Sequence, residues 1–536
     1  MNNLILYLFF ALILVFLICK SVYNKIIIQK VLIMPTYGGL GNQIFQICFA
    51  YSISKRNNLK LLIYTSDEKK HLKNNLEYYN NIFNHFKNNI DEKGCNINPL
   101  LFTLLGDSFH EPLNKFSFFF PELMVQNRTK KFVGNFQNEK YFVDYKEELI
   151  QMLTDNCVYN KVYNKYNKID SYFIHVRRGD YVNSKFEIYL DLYYTNAINY
   201  ILNIDESAHF YIISDDIEYC KSYHIIKDIN KTLYENSDEL ETMYFISLCN
   251  KGGICSNSTF SWFGSYLNTN PNKKIFFPDK WFSNTVFDND IYYENSIVLP
   301  TEKTQMTIVS GYWIVDNKHG DKYKKWFMNT LSINCPYVFF GDKNSIQIIK
   351  KYRKNFPTYY IECEIKDFYT YKYFDNFIID ETHCPSKELN CIWNEKIFLI
   401  QKAKKINPFN SDFFTWIDAG ICSYRHKKPP SEYFPNPKKV KDLPTNKFIF
   451  TSSINKYFES KKVGSYNYHF ISGTFCIDIR IIDEVCELYK TYLDLYVPKK
   501  DNLYTDQVIY TLIYKDKPKL FFKIGNGYGK MIEMLY

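Results

Sequence analysis

A seven-residue segment, HVRRGDY (175–181), concentrates chemistry that a protein core cannot use. It closes the apolar run SYFIHV (171–176) and gathers His175, Arg177, Arg178 and Asp180. A guanidinium fork binds phosphate through two parallel, charge-assisted hydrogen bonds. It can therefore neutralise a departing diphosphate without a metal ion. The same residues also suit an Arg–Asp pair that braces a strand–loop junction. Carboxylates that could take a proton from an attacking hydroxyl lie nearby: Asp180, Glu187, Asp215 and Asp216. The sequence does not choose among them.

Other segments offer related chemistry. YGGLGNQ (37–43) is a glycine turn between an apolar strand and a helix, which can turn backbone N–H groups toward an anion. SNSTFSWFGSYLN (256–268) joins a strand to a helix. Its Ser258, Thr259 and Ser261 can cap that helix or bond a phosphate. Far downstream, WIDAG (416–420) ends an apolar run with a lone acid, Asp418. A carboxylate there can hold a divalent metal such as Mn²⁺ with its diphosphate, or simply cap a turn. No D-x-D motif accompanies it. Asp506 and Gln507 open a later helix and are expected in the same pocket as Asp418, far from Arg177.

The elements that must position these groups alternate in type. VLIMP (31–35) and LKLLIY (59–64) read as strands around a helix at 43–56, where Ile44, Ile47, Cys48 and Tyr51 fall at helical spacing. SYFIHV, HFYIIS (209–214), GGICS (252–256) and KKIFFP (273–278) read as further strands, with helices near 193–203, 238–250 and 258–267. Short apolar strands between helices predict parallel sheets in α/β domains. Residues 70–130 are less periodic and read as an insertion or an inter-lobe region. IVLPTEKTQM (297–306) reads as a linker. A second series follows, with strands at 306–315, 337–341, 413–420 and 448–452 and helices near 392–405, 479–496 and 505–514. The expected domains are 1–30, 31–300 and 306–536.

Composition narrows the classes. The net charge of +9 comes from 66 basic and 57 acidic residues spread without a run of like charge, which gives nucleic-acid binding little support. A mildly basic surface suits an anionic substrate such as a nucleotide sugar. The 48 Tyr and 45 Phe accompany abundant Asn, Lys and Ile, the signature of AT-rich coding. The 14 Cys form no C-x-x-C pair and no zinc spacing, and read as buried thiols. Asn127, Asn230 and Asn257 open N-x-S/T sequons, which chance explains in so Asn-rich a chain. Leu4–Cys19 is an unbroken apolar run of 16 residues. A bilayer needs ~20, reached here if Ser21–Tyr23 join and Lys20 snorkels. No small-residue cleavage site follows, so a retained single-pass membrane anchor is expected. Lys20, Lys25 and Lys30 follow the run, which places the bulk of the chain on the cytosolic side.

In order, GGLGNQIFQ (38–46), GNFQNEKYF (134–142), HVRRGDY (175–181), FYIISDDIEYCK (210–221) and SNSTFSWFGSYLN (256–268) resemble family 11 glycosyltransferases, the α-1,2-fucosyltransferase group. The resemblance covers about residues 31–300. It implies a Rossmann-like, GT-B-type domain that moves L-fucose from GDP-fucose to a glycan or glycoprotein acceptor, with inversion and no metal. It implies that Arg177 contacts the β-phosphate and stabilises the leaving group, that Arg178 and Asp180 hold the loop, and that His175 contacts the nucleotide. Ser258, Thr259, Phe260 and Ser261 would line the diphosphate and base site, and Gly39, Gly41 and Asn42 a loop at a cleft. The segments TIVSGYW (307–313), IWNEKIFLI (392–400), NPFNSDFFTWIDAG (407–420), ISGTFCID (471–478) and TDQ (505–507) are similar to the HtrL/YibB-like family. That similarity implies a second, GT-A-like transferase domain. Two readings follow: a bifunctional transferase, or a fucosyltransferase with a non-catalytic acceptor-binding half. A decayed, lectin-like chain would have lost His175, Arg177, Arg178 and Asp180 first.

The anchor reading predicts that full-length protein stays on membranes at high salt, and that removing residues 1–30 releases it with its first-half chemistry intact. A chain that washes off, or whose mature N-terminus lies beyond residue 20, overturns it.

Overall fold

The computed structural model describes residues 30–65, 77–90, 107–112, 115, 117–167, 169–283, 290–316, 319–320, 322–354, 356–420, 422–453, 458–463, 465 and 467–536. The Leu4–Cys19 run, and the anchor read from it, lie outside the described residues. Among those described, no helix is long and apolar enough to cross a membrane. The chain forms two compact units, one ending at Lys165 and one spanning Tyr166–Tyr536. The stretch expected as one domain, 31–300, is therefore shared between them.

The first unit carries β1 (Val31–Thr36), β2 (Lys60–Thr65), β3 (Asp107–His110) and β4 (Lys130–Val133), parallel, in the order β2-β1-β4-β3. The last two arise in and beside the stretch read as an insertion. Each has four residues, too short to show a period. The helix Leu40–Arg56 connects β1 to β2 and buries Ile44, Phe45, Ile47, Phe49 and Ile53. Phe49 stacks on Phe136 with centroids 3.9 Å apart. Gly38 enters the helix at φ +80°, and a Cβ there would meet the Asn42 amide at 2.9 Å, so the turn requires glycine.

The second unit holds two sheets. The first comprises β5 (Tyr172–Val176), β6 (Phe210–Ser214), β7 (Lys231–Leu233), β8 (Gly252–Ile254), β9 (Lys274–Pro278) and β10 (Ile297–Leu299). It is parallel throughout, in the order β10-β9-β8-β5-β6-β7. The chain runs outward from β5 to β7, then returns and runs outward again from β8. The order reverses between β5 and β8. The expected linker at 297–306 begins as β10, because Ile297, Val298 and Leu299 are apolar and pair with Phe276–Pro278. The rest is tied down. Thr301 donates to the Asp279 carboxylate from N–H and Oγ1 at 2.9 and 3.0 Å, and Thr304 Oγ1 meets Ser411 Oγ at 2.6 Å.

The second sheet comprises β11 (Met306–Tyr312), β12 (Tyr337–Gly341), β13 (Thr358–Glu362), β14 (Phe413–Trp416), β15 (Phe448–Ser452), β16 (Ile471–Asp478) and β17 (Phe521–Asn526). Its order is β13-β12-β11-β14-β16-β15-β17, reversing between β11 and β14. This sheet is mixed: β16 is antiparallel to both neighbours. A parallel return needs a crossover, usually a helix of some length. Between β15 and β16 the described residues offer only the short turn Phe458–Ser460.

One apolar cluster joins the two sheets, running from Ile174, Phe276 and Leu299 to Val338, Phe414 and Phe450. At its crossing, the Tyr200 ring lies 4.1 Å from Tyr359 and its hydroxyl donates to the Tyr360 carbonyl at 3.1 Å. Cys48, Cys220, Cys249, Cys255, Cys335, Cys384, Cys391, Cys476 and Cys486 are buried free thiols, while Cys157 and Cys363 are free thiols with some exposure. We expect Tyr200→Phe to cost about 1 kcal/mol and Tyr200→Ala about 3–5 kcal/mol, read by denaturant unfolding. Probes in the two sheets should report one transition. Separate transitions would show that the cluster does not couple them.

Candidate functional site

In open α/β sheets, ligands bind outside the carboxyl ends of the strands where strand order reverses. At the β5/β8 reversal lies a cavity of about 490 Å³, lined by Arg177, Arg178, Tyr181, Glu187, Asp191 and Tyr219 among others. Arg177 leaves the end of β5 and is held by two carboxylates, Asp180 at 2.6 Å and Asp215 at 2.9 Å. Burial alone would lower the Arg177 pKa, but Asp215 and Asp180 reverse this, so the group titrates above its ordinary range. Asp215 also accepts from the Arg178 N–H at 2.8 Å. Gly179 permits this approach, since a Cβ there would stand 2.2 Å from the Asp215 carboxylate. Arg178 stacks over Tyr219, 4.1 Å from its centroid. Tyr181 donates to the Asn257 carbonyl at 3.1 Å and so ties the loop after β5 to the loop after β8.

The remaining residues singled out in the sequence take varied places. His175 is 2% exposed, packed 5.6 Å from Phe260. Burial, then the Arg177 charge, pushes its pKa down to about 3, so it is a neutral imidazole. Ser258 caps the helix Thr259–Leu267, accepting from the Phe260 N–H. Ser261 is fully buried and donates to the Ser258 carbonyl at 3.3 Å, so it packs inside the fold instead of lining the base site. Thr259 and Phe260 are only half-buried. Asn257 is buried, its amide donating to the Phe186 and Trp281 carbonyls, which removes that sequon from use in the folded chain. Asp216 caps the helix Ile217–Ser222. Glu187 accepts from the Asn183 N–H at 2.7 Å. In the first unit, Gly39 is the N-cap of Leu40–Arg56, and Gly41 and Asn42 belong to its first turn. The Asn42 Oδ1 accepts from Gln137 at 2.8 Å.

The second reversal, between β11 and β14, also opens on a cavity, of about 670 Å³. Asp418 and Asp506 both line it, brought together by a residue the sequence reading missed. Lys396, on the helix Lys387–Ile406, sets its ammonium 3.0 Å from Asp418 and 2.9 Å from Asp506. Its side chain is 3% exposed. Burial would lower its pKa, but the two carboxylates raise it above the usual lysine range. Burial pushes the Asp506 pKa up, and Lys396 pulls it back only in part. A signal was present: Ile392, Trp393, Leu399 and Ile400 surround Lys396 at i±3 and i±4, so it stands in an apolar stripe. This donor set does not fit the expected divalent metal. A buried ammonium already occupies the space between the carboxylates, and a second cation would meet its charge.

Residues 122–298 match the model of glycosyl transferase family 11, and residues 378–534 that of HtrL_YibB, a bacterial protein of unknown function. Two curated Escherichia coli proteins are similar. An alpha-1,2-colitosyltransferase is 27% identical over 289 residues, covering 47% of this chain and 93% of its own. The O-antigen biosynthesis glycosyltransferase WbnK is 26% identical over 296 residues, covering 46% and 93%. Among solved structures, a mutant of Arabidopsis thaliana FUT1 in complex with GDP aligns with a TM-score of 0.27 and 11% identity, over 46% of this chain and 70% of that one, too low a likeness to bear on the fold. The first match spans the Arg177 crevice and the second spans Lys396, Asp418 and Asp506: the chain is a glycosyltransferase with a family 11 domain followed by an HtrL_YibB domain.

Proposed function

We propose that the family 11 half transfers L-fucose from GDP-fucose to a glycan hydroxyl, in α-1,2 linkage, with inversion and without a metal. The observation that carries this reading is Arg177: a charged guanidinium at the reversal of a parallel sheet, facing a cavity of a size that suits a nucleotide sugar. Its two carboxylates differ in cover. The Asp215 side chain is 26% exposed and holds the guanidinium, whereas that of Asp180 is 64% exposed and is the partner a diphosphate displaces. Arg177 then neutralises the charge that grows on the leaving diphosphate. An inverting displacement also needs a base for the acceptor hydroxyl. Asp180 and Asp215 engage Arg177, and Asp216 caps a helix. Glu187 lines the same cavity and is oriented by the Asn183 N–H, which makes it the base in this reading. The colitosyltransferase name of one relative supports the linkage. The C-terminal half joins the reading as a second carbohydrate-acting domain, and the apolar N-terminus as the membrane anchor of both.

Arg177→Lys keeps the charge and loses the fork, and should slow transfer roughly 10²-fold or more, the scale of one lost transition-state donor. Glu187→Gln should slow it roughly 10²- to 10⁴-fold. Near-wild-type turnover in either variant sinks the role given to that residue. The full chain should also transfer or hydrolyse GDP-fucose in excess EDTA. Activity that disappears on chelation and returns with Mn²⁺ or Mg²⁺ would show that Arg177 does not carry the leaving group alone.

A further inference from the structure

The cavity of the second sheet has the build of a ligand site in which a lysine holds the place of a metal. Lys396 and Asp506 are covered, but the Asp418 side chain is 40% exposed and opens into the cavity. Its Oδ1 is fully engaged, by the Trp416 indole N–H at 2.8 Å and by Lys396 at 3.0 Å. These contacts fix the carboxylate while its Oδ2 takes no hydrogen bond from the described residues. Chain direction leaves the cluster open. Because β16 is antiparallel to β14, its start lies beside the end of β14, and that start carries Gly473. A Cβ at Gly473 would sit 3.4 Å from Lys396 Nζ and 3.8 Å from the Oδ2 atoms of Asp418 and Asp506. Such a methyl group clashes with nothing and would cap the cluster. The absence of a side chain keeps the Asp418 carboxylate accessible.

Much of the rest of the wall is aromatic, beside Asp316, Arg425 and the aliphatic Leu389 and Ile392. Trp313, Tyr323, Trp393 and Tyr528 line the same cavity, with the Gln507 amide beside Asp506. A fitting ligand must offer hydroxyl donors to a fixed carboxylate and an apolar face to aromatic rings. A sugar ring has both. A bare divalent cation has neither, and it would be repelled by Lys396.

We propose that this cavity binds a glycosyl residue without a metal, with Asp418 accepting from the ring hydroxyls and Lys396 as the built-in cation that keeps Asp418 and Asp506 together. The proposal does not depend on the activity assigned to Arg177. The ring can come from a glycan end or from a nucleotide sugar, and the test separates the two. Full-length protein in EDTA is titrated with methyl glycosides of galactose, glucose, N-acetylglucosamine and L-fucose, and in a second arm with the UDP- and GDP-linked sugars, by saturation-transfer NMR. We expect binding in at least one arm that Asp418→Asn weakens roughly tenfold or more. Gly473→Ala, which adds one methyl group at ordinary contact distance, should weaken it too, and carries the test if Asp418→Asn does not fold. Preference for the methyl glycosides identifies a glycan end, and preference for the nucleotide sugars a donor. Binding that neither variant changes, binding that needs added Mn²⁺, or no binding in either arm overturns the proposal.

Discussion

A parallel strand covered on both faces has no place for a charged side chain in its middle, because nothing there pairs with the charge. That constraint organises the second unit. Strands β5, β12 and β14 are buried along their whole length, and their charged residues, Arg177, Asp342 and Asp418, come only after each strand ends. Both sheets then reverse strand order beside such an end, which parts the following loops and opens a crevice. Arg177 and Asp418 each follow a strand that flanks its sheet's reversal, Arg177 the first strand in chain order and Asp418 the strand across the reversal, in two sheets that share no sequence motif.

The two crevices handle charge by a common device with opposite polarity. Each holds a cation between two acids, one more exposed than the other. In the first, the cation lines the cavity and its more exposed partner is Asp180. In the second, the cation is withdrawn behind its partners, and the group turned outward is the carboxylate of Asp418. The choice of residue suits each task. A guanidinium grips a planar oxyanion bidentately, whereas an ammonium is a compact point charge that bridges two carboxylates in little space. Burying such charges is costly unless all are paired, which accounts for the dense hydrogen bonding around both.

Much of this was legible in the sequence. The strands SYFIHV, HFYIIS, YVFFG and FIFTS and the long helices appear within a few residues of where apolar spacing puts them, because each is long enough to show a period. Arg177, Asp215 and Asp418 stood out as polar residues closing apolar runs. What was not legible lay outside local pattern. Four-residue strands at 107–110 and 130–133 carry no period, and β10 looked like a linker because Pro300 and charged residues follow it directly. The direction of β16 depends on the length of a connection, not on the strand itself. Ser261 reads as a polar lining residue, yet a hydroxyl is small enough to bury against its own helix. Lys396 was hidden for the opposite reason: a lysine is expected at the surface, and only its three-dimensional partners show why this one is not.

The apolar cluster that runs beneath both sheets ties the fates of the two crevices. Residues from β5, β9 and β10 pack into the same body as those of β12, β14 and β15, so the unit is expected to unfold as a whole. Mass action then makes every ligand of one crevice a guardian of the other. A ligand at a hundred times its dissociation constant adds about 2.7 kcal/mol to the stability of whatever unfolds with its site. Supply of substrate to the Arg177 side would thus lengthen the lifetime of the Lys396 side against proteolysis, and starvation of either would thin out both.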